Sequence, residues 1–385
     1  MPESITIPEK FIPPDYQVCS KTVMDNIADP EIVFDEQGVC NYYHQYFKYL
    51  PKEVADPVYA SQELAKLQAR ILEQGKGKTY DSIIGVSGGV DSTYIALKVK
   101  ELGLKPLVVH FDNGWNSEIA VKNIENIVHK LDFDLYTHVF DWEEFKDLQL
   151  ASFKANVIDI EAITDIAIQG VLIMLAAKFR IKYVISGHNY KTESILPKAW
   201  IYKDYFNLID IHKKYGTRSI SLFPFHDSLI DKLKLKLSPV KTVYMLNYMN
   251  YDKKQAKQEI MAKLDWRDYG GKHYESVFTR FYQGYILPKK FGIDKRKAHL
   301  TNLICCGQIT REQALQELRE PIYATEQLKI DYDFVLKKLG FTEAEFEKYI
   351  DSPGRPHSDF DSEAKYWGRN KVTAKLKQLF NKIRS

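Results

Sequence analysis

The stretch SIIGVSGGVDS, residues 82–92, decides the fold of this chain. Residues 82–86 form a short apolar run, which is typical of a buried strand, and the amphipathic pattern of residues 92–102 predicts a helix directly after it. A glycine-rich turn between a strand and a helix presents the free backbone N–H groups of the helix N-terminus to one point, where an anion can bind. The stretch therefore predicts a strand–loop–helix unit that binds phosphate.

Each residue type in the loop has a part in this prediction. Gly88 and Gly89 allow a tight turn and a close approach to an anion, because neither has a Cβ. Ser87 and Ser92 add hydroxyl donors. Asp91 would repel a bare phosphate, so it indicates a Mg²⁺ ion between its carboxylate and the phosphates. The competing interpretation is a Gly-Gly turn with a helix cap, and the loop is neither a Walker A motif nor a dinucleotide-binding fingerprint.

The loop resembles the PP-loop of the ATP pyrophosphatase superfamily, which includes asparagine, NAD and GMP synthetases and tRNA thiolases. The resemblance implies that ATP is the cofactor and that it is cleaved between the α- and β-phosphates. In this chemistry an oxygen of the substrate becomes adenylated and pyrophosphate leaves. A nitrogen or sulfur nucleophile then displaces AMP.

Strands and helices alternate along the chain around the loop. The alternation predicts an α/β fold, in which a parallel sheet has helices on both faces and a mainly helical C-terminal region follows. No strand pattern is visible after about residue 228. The predicted domains are an N-terminal arm with a helix (1–75), a PP-loop ATP-binding domain (76–228) and a C-terminal region that completes the active site (229–385). The predicted strands are 82–86, 106–111, 134–140 and 182–186, and the predicted helices are 53–74, 92–102, 118–130 and 162–179.

Polar residues follow the second predicted strand, and ligands of open α/β sheets bind outside the carboxyl ends of strands. In the superfamily that the loop resembles, this strand end lies against the adenosine. The resemblance implies that backbone groups near Phe111 hold the adenine and that Asp112 reaches the ribose or the metal. The alternative is that Asp112 only starts a turn before Gly114.

The fourth predicted strand ends in SGHNYKTE, residues 186–193, which is similar to the glycine–polar–acidic segment opposite the PP-loop in these enzymes. The similarity implies that Gly187 and Asn189 contact the nucleotide. It also makes Glu193 a second Mg²⁺ ligand beside Asp91. His188 is a candidate for contact with the substrate, or else a simple loop histidine.

Asp165 lies in a predicted helix that is apolar nearly all round. A buried carboxylate needs partners or a function, so Asp165 is a candidate substrate-binding residue. The alternative is that it lies on a solvent-exposed stripe in the first turn of that helix.

Residues 272–297 carry seven positive and two negative charges. Cations that contact a leaving pyrophosphate stabilise the transition state, so we predict catalytic roles for Lys272 and Arg280 and substrate contacts for Lys289, Lys295 and Arg296. Nucleic-acid binding and a solvated helix face are the competing interpretations.

Longer motifs resemble the N-acetyl sugar amidotransferase family, over roughly residues 16–360. The family converts an acetamido group on a bacterial surface-sugar nucleotide, such as a lipopolysaccharide O-antigen precursor, into an acetamidino group. The resemblance therefore implies that ATP adenylates the amide oxygen and that ammonia attacks the imidate carbon. The motifs are FDEQGVCNY (34–42), FDNGWNSE (111–118), GGKHYES (270–276), FGIDKRKAHL (291–300) and ITREQAL (309–315).

The chain departs from this family in its N-terminal segment, where the family often has two C-x2-C pairs of a zinc knuckle. Thr22 and Tyr43 stand where the second thiol of each pair would be, so only Cys19 and Cys40 remain. Structural zinc needs four ligands, and we expect no zinc, even with His44 nearby. The adjacent Cys305-Cys306 pair is interpreted as apolar filler.

The sequence contains no glutaminase that could supply ammonia. Pro2 follows Met1 where an N-terminal nucleophile would be a cysteine, and a triad glutaminase would need about 180 further residues with a nucleophile-elbow cysteine. The chain thus resembles a synthetase subunit, and the family implies separate glutaminase and cyclase subunits as partners.

The overall composition narrows the classes of protein further. A net charge of +3 argues against a dedicated nucleic-acid binder, and four cysteines are too few for a disulfide framework. No apolar stretch approaches about 18 residues, so we expect a cytoplasmic protein without a membrane span. Two other functions stay open: a tRNA-modifying enzyme of the thiolase type, and a regulatory protein that only binds a nucleotide.

Overall fold

The computed structural model describes residues 7–221, 223, 240–271 and 274–368. A parallel five-stranded sheet lies at its centre, with the strand order β3-β2-β1-β4-β5. The strands are Ser82–Val86 (β1), Pro106–Asp112 (β2), Leu135–Val139 (β3), Tyr183–Ile185 (β4) and Lys241–Val243 (β5).

The helices divide into a set that surrounds the sheet and a set that forms the C-terminal region. The first set is Asn41–Lys48 (α1), Lys52–Ala55 (α2), Pro57–Gly75 (α3), Val90–Glu101 (α4), Glu118–Leu131 (α5), Trp142–Ala155 (α6), Ala162–Lys178 (α7), Tyr190–Glu193 (α8), Tyr205–Tyr215 (α9) and Lys253–Leu264 (α10). The second set is Val277–Phe281 (α11), a π-helix at Tyr282–Phe291, Arg296–Cys305 (α12), Arg311–Arg319 (α13), Thr325–Leu339 (α14), Glu343–Asp351 (α15) and Glu363–Gly368 (α16). Short 3₁₀ helices span Glu9–Phe11, Lys198–Trp200, Met245–Tyr248 and His357–Asp359.

Two separate apolar clusters lie on the two faces of the sheet. Successive side chains of a strand point to opposite faces, and Ile83 of β1 and Val109 of β2 belong to one cluster, together with apolar residues of α6 and α7. Ile84 and Val108 belong to the other, with residues of α3, α4, α5 and α10. Helices therefore cover both faces, which confirms the predicted α/β sheet. The helical character of the C-terminal region is confirmed as well.

The predicted helix at 53–74 is interrupted, and α2 and α3 take its place. Asp56 is extended, with φ −122° and ψ 99°, because the residue before a proline is disfavoured in the helical region. Its carboxylate accepts hydrogen bonds from the backbone N–H groups of Val58 and Tyr59, while Pro57 occupies the first position of α3, where no N–H is needed. The helix break is therefore an N-cap that the apolar pattern concealed.

The prediction that no strand follows residue 228 is wrong. Strand β5 pairs in parallel with β4, with Tyr183 opposite Lys241 and Ile185 opposite Val243. The strand has only three residues, of which Lys241 and Thr242 are exposed, so it carries no apolar pattern. The sheet thus extends past the predicted domain boundary at 228/229.

The start of the C-terminal region is fastened to the loop between β2 and α5. Asn116 and Ser276 form an antiparallel bridge. Val277 donates its backbone N–H to Trp115 O at 2.8 Å, and the Ser117 N–H donates to the Glu275 carbonyl at 2.9 Å. The contact places α11 and the π-helix beside the carboxyl ends of the strands. Among the helices of the described ranges, none has the length and apolarity that a membrane crossing requires.

Candidate active site

A cavity of about 820 Å³ opens where β1 and β4 end. The PP-loop contributes one wall, α8 and the start of α10 contribute the next, and the C-terminal region closes the far side. Most of the residues that the sequence nominated line it, namely Ser87, Gly89, Asp91, Ser92, Gly187, His188, Glu193, Arg280, Lys295 and Arg296. Lys272 lies outside the described residues, so its predicted role on the leaving phosphates stays a prediction.

Two positions of the site, Gly88 and Gly187, need glycine because a neighbouring backbone leaves little room for a Cβ atom. Gly88 has φ +78°, and a Cβ there would lie 2.6 Å from the Ala120 carbonyl oxygen of α5. A Cβ at Gly187 would lie 3.0 Å from the backbone carbonyl carbon of Asp91. Gly187 thus lets the β4 loop pack directly on the PP-loop. Its contact with the nucleotide stays a prediction.

The helix after the loop starts earlier than the sequence suggested. Gly89 is the N-cap of α4, so Asp91 and Ser92 lie in the first turn rather than before it. The Ser92 hydroxyl donates to Gly89 O at 3.1 Å and lies 3.3 Å from the Ser87 hydroxyl. Both hydroxyls and the first backbone N–H groups of α4 therefore meet at the cavity wall, which suits an anion.

The carboxylates of Asp91 and Glu193 both lie near the hydroxyl of Tyr251. That hydroxyl donates to Asp91. Burial raises the pKa of Tyr251 well above its usual value, and the charges of Asp91 and Glu193 raise it further. Tyr251 therefore stays protonated and remains a donor. His188 Nδ1 lies 2.7 Å from Glu193 Oε2, so His188 contacts the predicted metal ligand.

The donor set at this point fits Mg²⁺. Carboxylate oxygens are the ligands that Mg²⁺ prefers, and it commonly takes one or two from the protein while phosphates and water supply the rest. Asp91 and Glu193 could be those two. Over the described ranges, no group of three or more His, Cys, Asp or Glu side chains is arranged to hold a metal ion.

Several residues of the cavity wall were not found by sequence reasoning. Lys253, Lys254 and Lys257 reach it from the first turns of α10, and Lys253 Nζ lies 4.0 Å from Asp91 Oδ2. Tyr269 accepts the backbone N–H of Val90 at 3.3 Å. No motif marked these residues, because their proximity to the PP-loop arises only from the tertiary fold.

The two arginines of the cationic segment are held by carboxylates of the protein. Arg280 donates through Nε and Nη2 to both oxygens of Asp331, at 2.6 and 2.8 Å. Arg296 pairs with Asp294 at 2.8 Å and donates to the carbonyls of Glu317 and Glu320 at the end of α13. Both residues line the cavity, but these bonds favour a structural role. Their predicted roles on phosphates and substrate remain predictions.

Lys295 lies between the cavity and two acidic groups near the start of α7. Burial raises the pKa of Glu161 and of Asp159, and the nearby Lys295 ammonium opposes both shifts. Asp165 forms a 2.8 Å ion pair with Lys203, and both side chains are about half exposed. Asp165 is thus on the surface, as the alternative interpretation held, and does not line the cavity.

Four other nominated residues do not line the cavity. Asp112 accepts from the Gly114 N–H at 2.9 Å and so serves the turn that the sequence allowed as an alternative. Asn189 is buried and caps α8 through the N–H of Thr192 at 3.0 Å. Phe111 packs against Gly85 of β1. Lys289 lies in the π-helix and is partly exposed.

The N-terminal segment keeps the two remaining thiols together. Cys19, Thr22 and Cys40 are fully buried. The Cys40 N–H donates to Cys19 Sγ at 3.2 Å, and the Thr22 hydroxyl lies 3.8 Å from Cys40 Sγ. A hydroxyl thus stands beside the thiols at the position where the family often has a zinc ligand. Cys305 and Cys306 are partly buried, and burial raises the pKa of both.

The comparison with protein families finds one match, in the C-terminal region. Residues 275–376 match the family model described as "LPS biosynthesis protein WbpG-like, C-terminal domain". The match supports the amidotransferase family that the sequence motifs resemble. No curated protein matches the chain.

Two solved structures show remote likeness. An NMN synthetase from Francisella tularensis is 14% identical over 56% of this chain and 99% of its own, with a TM-score of 0.28. An NH3-dependent NAD synthetase from Campylobacter jejuni, in complex with nitrate, is 13% identical over 74% of this chain and 97% of its own, with a TM-score of 0.31. Because these TM-scores are low, the fold is assigned from the sheet and helices described above and not from these two structures.

Proposed function

We propose that the chain is an ATP-dependent amidotransferase acting on a nucleotide-activated N-acetyl sugar, because residues 275–376 match the model of WbpG-like C-terminal domains of lipopolysaccharide biosynthesis proteins. The product is an acetamidino sugar, and AMP and pyrophosphate are released. The sugar chemistry rests on the sequence resemblance, and the use of ATP rests on the PP-loop.

One observation carries the proposal. A single cavity has the PP-loop, with Asp91 and Glu193, on one side and the WbpG-like region, with Arg280 and Lys295, on the other. An enzyme that joins ATP to a second substrate needs both in one enclosure, because holding the reactants together removes much of the entropic barrier. A protein that only binds a nucleotide would not need the second wall.

The residues of the wall have separate parts in the proposed reaction. Ser87, Ser92 and the first N–H groups of α4 bind the phosphates of ATP. Asp91 and Glu193 would hold Mg²⁺, which neutralises phosphate charge when it is bound. Lys253 lies beside Asp91 and provides a cation on the same side of the cavity. Its charge would stabilise pyrophosphate as it separates.

The chemistry then proceeds in two balanced steps. The acetamido oxygen attacks the α-phosphorus, the bond from that phosphorus to the bridging oxygen breaks, and pyrophosphate leaves. Ammonia next adds to the imidate carbon, AMP leaves with the former amide oxygen, and a proton is released from nitrogen. Ammonia comes from solution or from a separate glutaminase and cyclase pair, and the reaction takes place in the cytoplasm.

Mass spectrometry tests the proposal. Acetamido sugar nucleotides are incubated with the protein, ATP, Mg²⁺ and ammonium, and we expect NH to replace O in the sugar, with AMP and pyrophosphate as co-products. Release of ADP and phosphate would contradict the proposed reaction. Thiolation of tRNA would favour the thiolase alternative, and nucleotide binding without turnover would favour a regulatory protein.

A matched pair of variants locates the activity at the PP-loop. Asp91→Ala should remove most activity and leave the fold intact, because the residue faces the cavity rather than the core. Glu143→Ala is the control, since Glu143 is an exposed acid in the first turn of α6, after β3, and pairs only with Arg218 among the described ion pairs. Equal activity in the two variants would exclude the assigned role of Asp91.

A further inference from the structure

The carbonyl group of Gly88 points away from the cavity, towards two buried side chains. Trp266 donates its indole N–H to Gly88 O at 2.8 Å, and the side-chain amide of Asn123 donates to the same oxygen at 3.4 Å. Trp266 is 3% exposed and Asn123 is fully buried. The next residue along the loop, Gly89, lines the cavity. The peptide between the two glycines thus has its carbonyl oxygen bonded to buried side chains on one side and the cavity on its other side.

The geometry of that peptide makes the direction of the Gly89 N–H depend on the direction of the Gly88 carbonyl. The bond is planar and trans, so its C=O and N–H groups point in opposite directions. Holding Gly88 O on the inner side turns the Gly89 N–H towards the cavity, where it donates to the Ser87 hydroxyl at 3.3 Å. Two successive glycines allow the peptide other orientations. The backbone alone therefore does not fix the direction of this N–H. The indole bond on the inner side and the Ser87 hydroxyl on the cavity side do so.

Trp266 belongs to a segment that hydrogen bonds and an ion pair fix to α5. Residues 265–269, here called the crossing segment, follow α10 and pass over α5. Asn123 accepts the Arg267 N–H at 2.8 Å and donates to the Arg267 carbonyl at 2.9 Å. At its start, Asp265 pairs with Lys130 of α5 at 2.7 Å. Trp266 is thus positioned from both sides before it reaches the PP-loop.

We propose that Trp266 is a positioning residue of the phosphate site. Its indole N–H holds the Gly88–Gly89 peptide in the orientation that presents the Gly89 N–H to the phosphates of the nucleotide. The inference rests on the proposed function, because it takes the PP-loop to bind those phosphates. Trp266 itself stays behind the loop and acts only through the peptide.

The test compares two buried tryptophans, each of which donates its indole N–H to a backbone carbonyl. Trp266→Phe keeps an aromatic ring and removes the N–H. Trp200→Phe is the control, because Trp200 is 2% exposed and donates its indole N–H to the backbone carbonyl of Ala28 at 2.9 Å, in the other core cluster. Both variants lose one buried hydrogen bond and part of a ring. A merely structural effect should therefore appear equally in both.

Calorimetric titration with inorganic pyrophosphate and Mg²⁺ provides the readout, and thermal unfolding reports stability. We expect both variants to lose similar stability, while only Trp266→Phe binds pyrophosphate about 3- to 10-fold more weakly, as the loss of one net hydrogen bond predicts. Wild-type affinity in Trp266→Phe, or the same weakening in Trp200→Phe, overturns the inference.

A second variant keeps the inference testable if Trp266→Phe does not fold. Asn123→Ala removes the longer bond to Gly88 O and also the two bonds that hold the Arg267 backbone beside Trp266. We expect a loss of pyrophosphate affinity of at least about 2-fold, and unchanged affinity overturns the inference. The proposed function fails separately. A wild-type protein that binds pyrophosphate but converts no acetamido sugar contradicts the reaction and leaves Trp266 in its role, whereas one that binds no pyrophosphate contradicts both.

Discussion

Replacing Arg280 by Ala is the perturbation whose size follows most directly from the structure. The side chains of Arg280 and Asp331 are 10% and 3% exposed and form a bidentate ion pair. Removing one partner of a buried pair leaves an uncompensated charge, which costs about 3–5 kcal/mol. Tyr323 and Gln327 still donate to Asp331 in the variant, so we expect the lower end, about 3 kcal/mol.

Urea unfolding measures this loss. If the free energy of unfolding falls by about 3 kcal/mol for each M of urea, the urea concentration at the unfolding midpoint should fall by about 1 M. Arg319→Ala is the control, because Arg319 is an exposed arginine of α13 and should change the free energy of unfolding by less than about 0.5 kcal/mol. Suppose instead that Arg280→Ala keeps the wild-type midpoint and loses about two to three orders of magnitude in turnover. Arg280 would then act on the leaving phosphates, as the sequence predicted, and the structural interpretation would be wrong.

Three further predictions concern the proposed metal site, acid stability and zinc. Tyr251→Phe removes the donor to Asp91 and should raise the Mg²⁺ concentration for half-maximal activity by about tenfold, as for other residues that orient metal ligands; an unchanged Mg²⁺ titration contradicts this. Burial alone would raise the pKa of Asp147, but hydrogen bonds from Thr217 and other neighbours lower it to about 2. Its stabilising contribution is therefore present above about pH 4 and lost as the pH falls towards 2, so Asp147→Asn should flatten thermal stability across that window. Elemental analysis should find no zinc in the N-terminal segment, and about one zinc per chain would refute the expectation.

Sequence reasoning found the elements whose periodicity is strong. Strands β1 and β2 are buried on both faces of the sheet, so their continuous apolar runs are enough to mark residues 82–86 and 106–111 as strands. The PP-loop followed from the glycines between strand and helix. Strand β5 escaped because a short exposed strand obtains its stability from pairing with β4, which leaves no mark on its own residues.

The candidate site was predictable only in part for a related reason. Four of the nominated loop residues line the cavity, since β1 and α4 fix them locally, and their roles stay predictions: Ser87, Gly89, Asp91 and Ser92. Tyr251 and Trp266 contact the PP-loop across a large separation in the chain, and nothing in their own neighbourhood marks that contact. Sequence reasoning also could not foresee that Arg280 pairs with a carboxylate of the protein, because Asp331 lies far along the chain on α14.

The bridge between the β2–α5 loop and the start of α11 limits how this protein could exchange parts with its relatives. The loop around Asn116 and the strand-like residues at 275–277 recognise each other through the backbone, so this joint tolerates many side chains. Trp266 and strand β5 lie on the other side of the same joint and contact the PP-loop and the sheet through specific partners. If the proposed function holds, a C-terminal region taken from a relative that acts on another sugar should therefore be joined after residue 271 rather than before residue 240. A hybrid of this kind would keep the host's phosphate site and change only the far wall of the cavity.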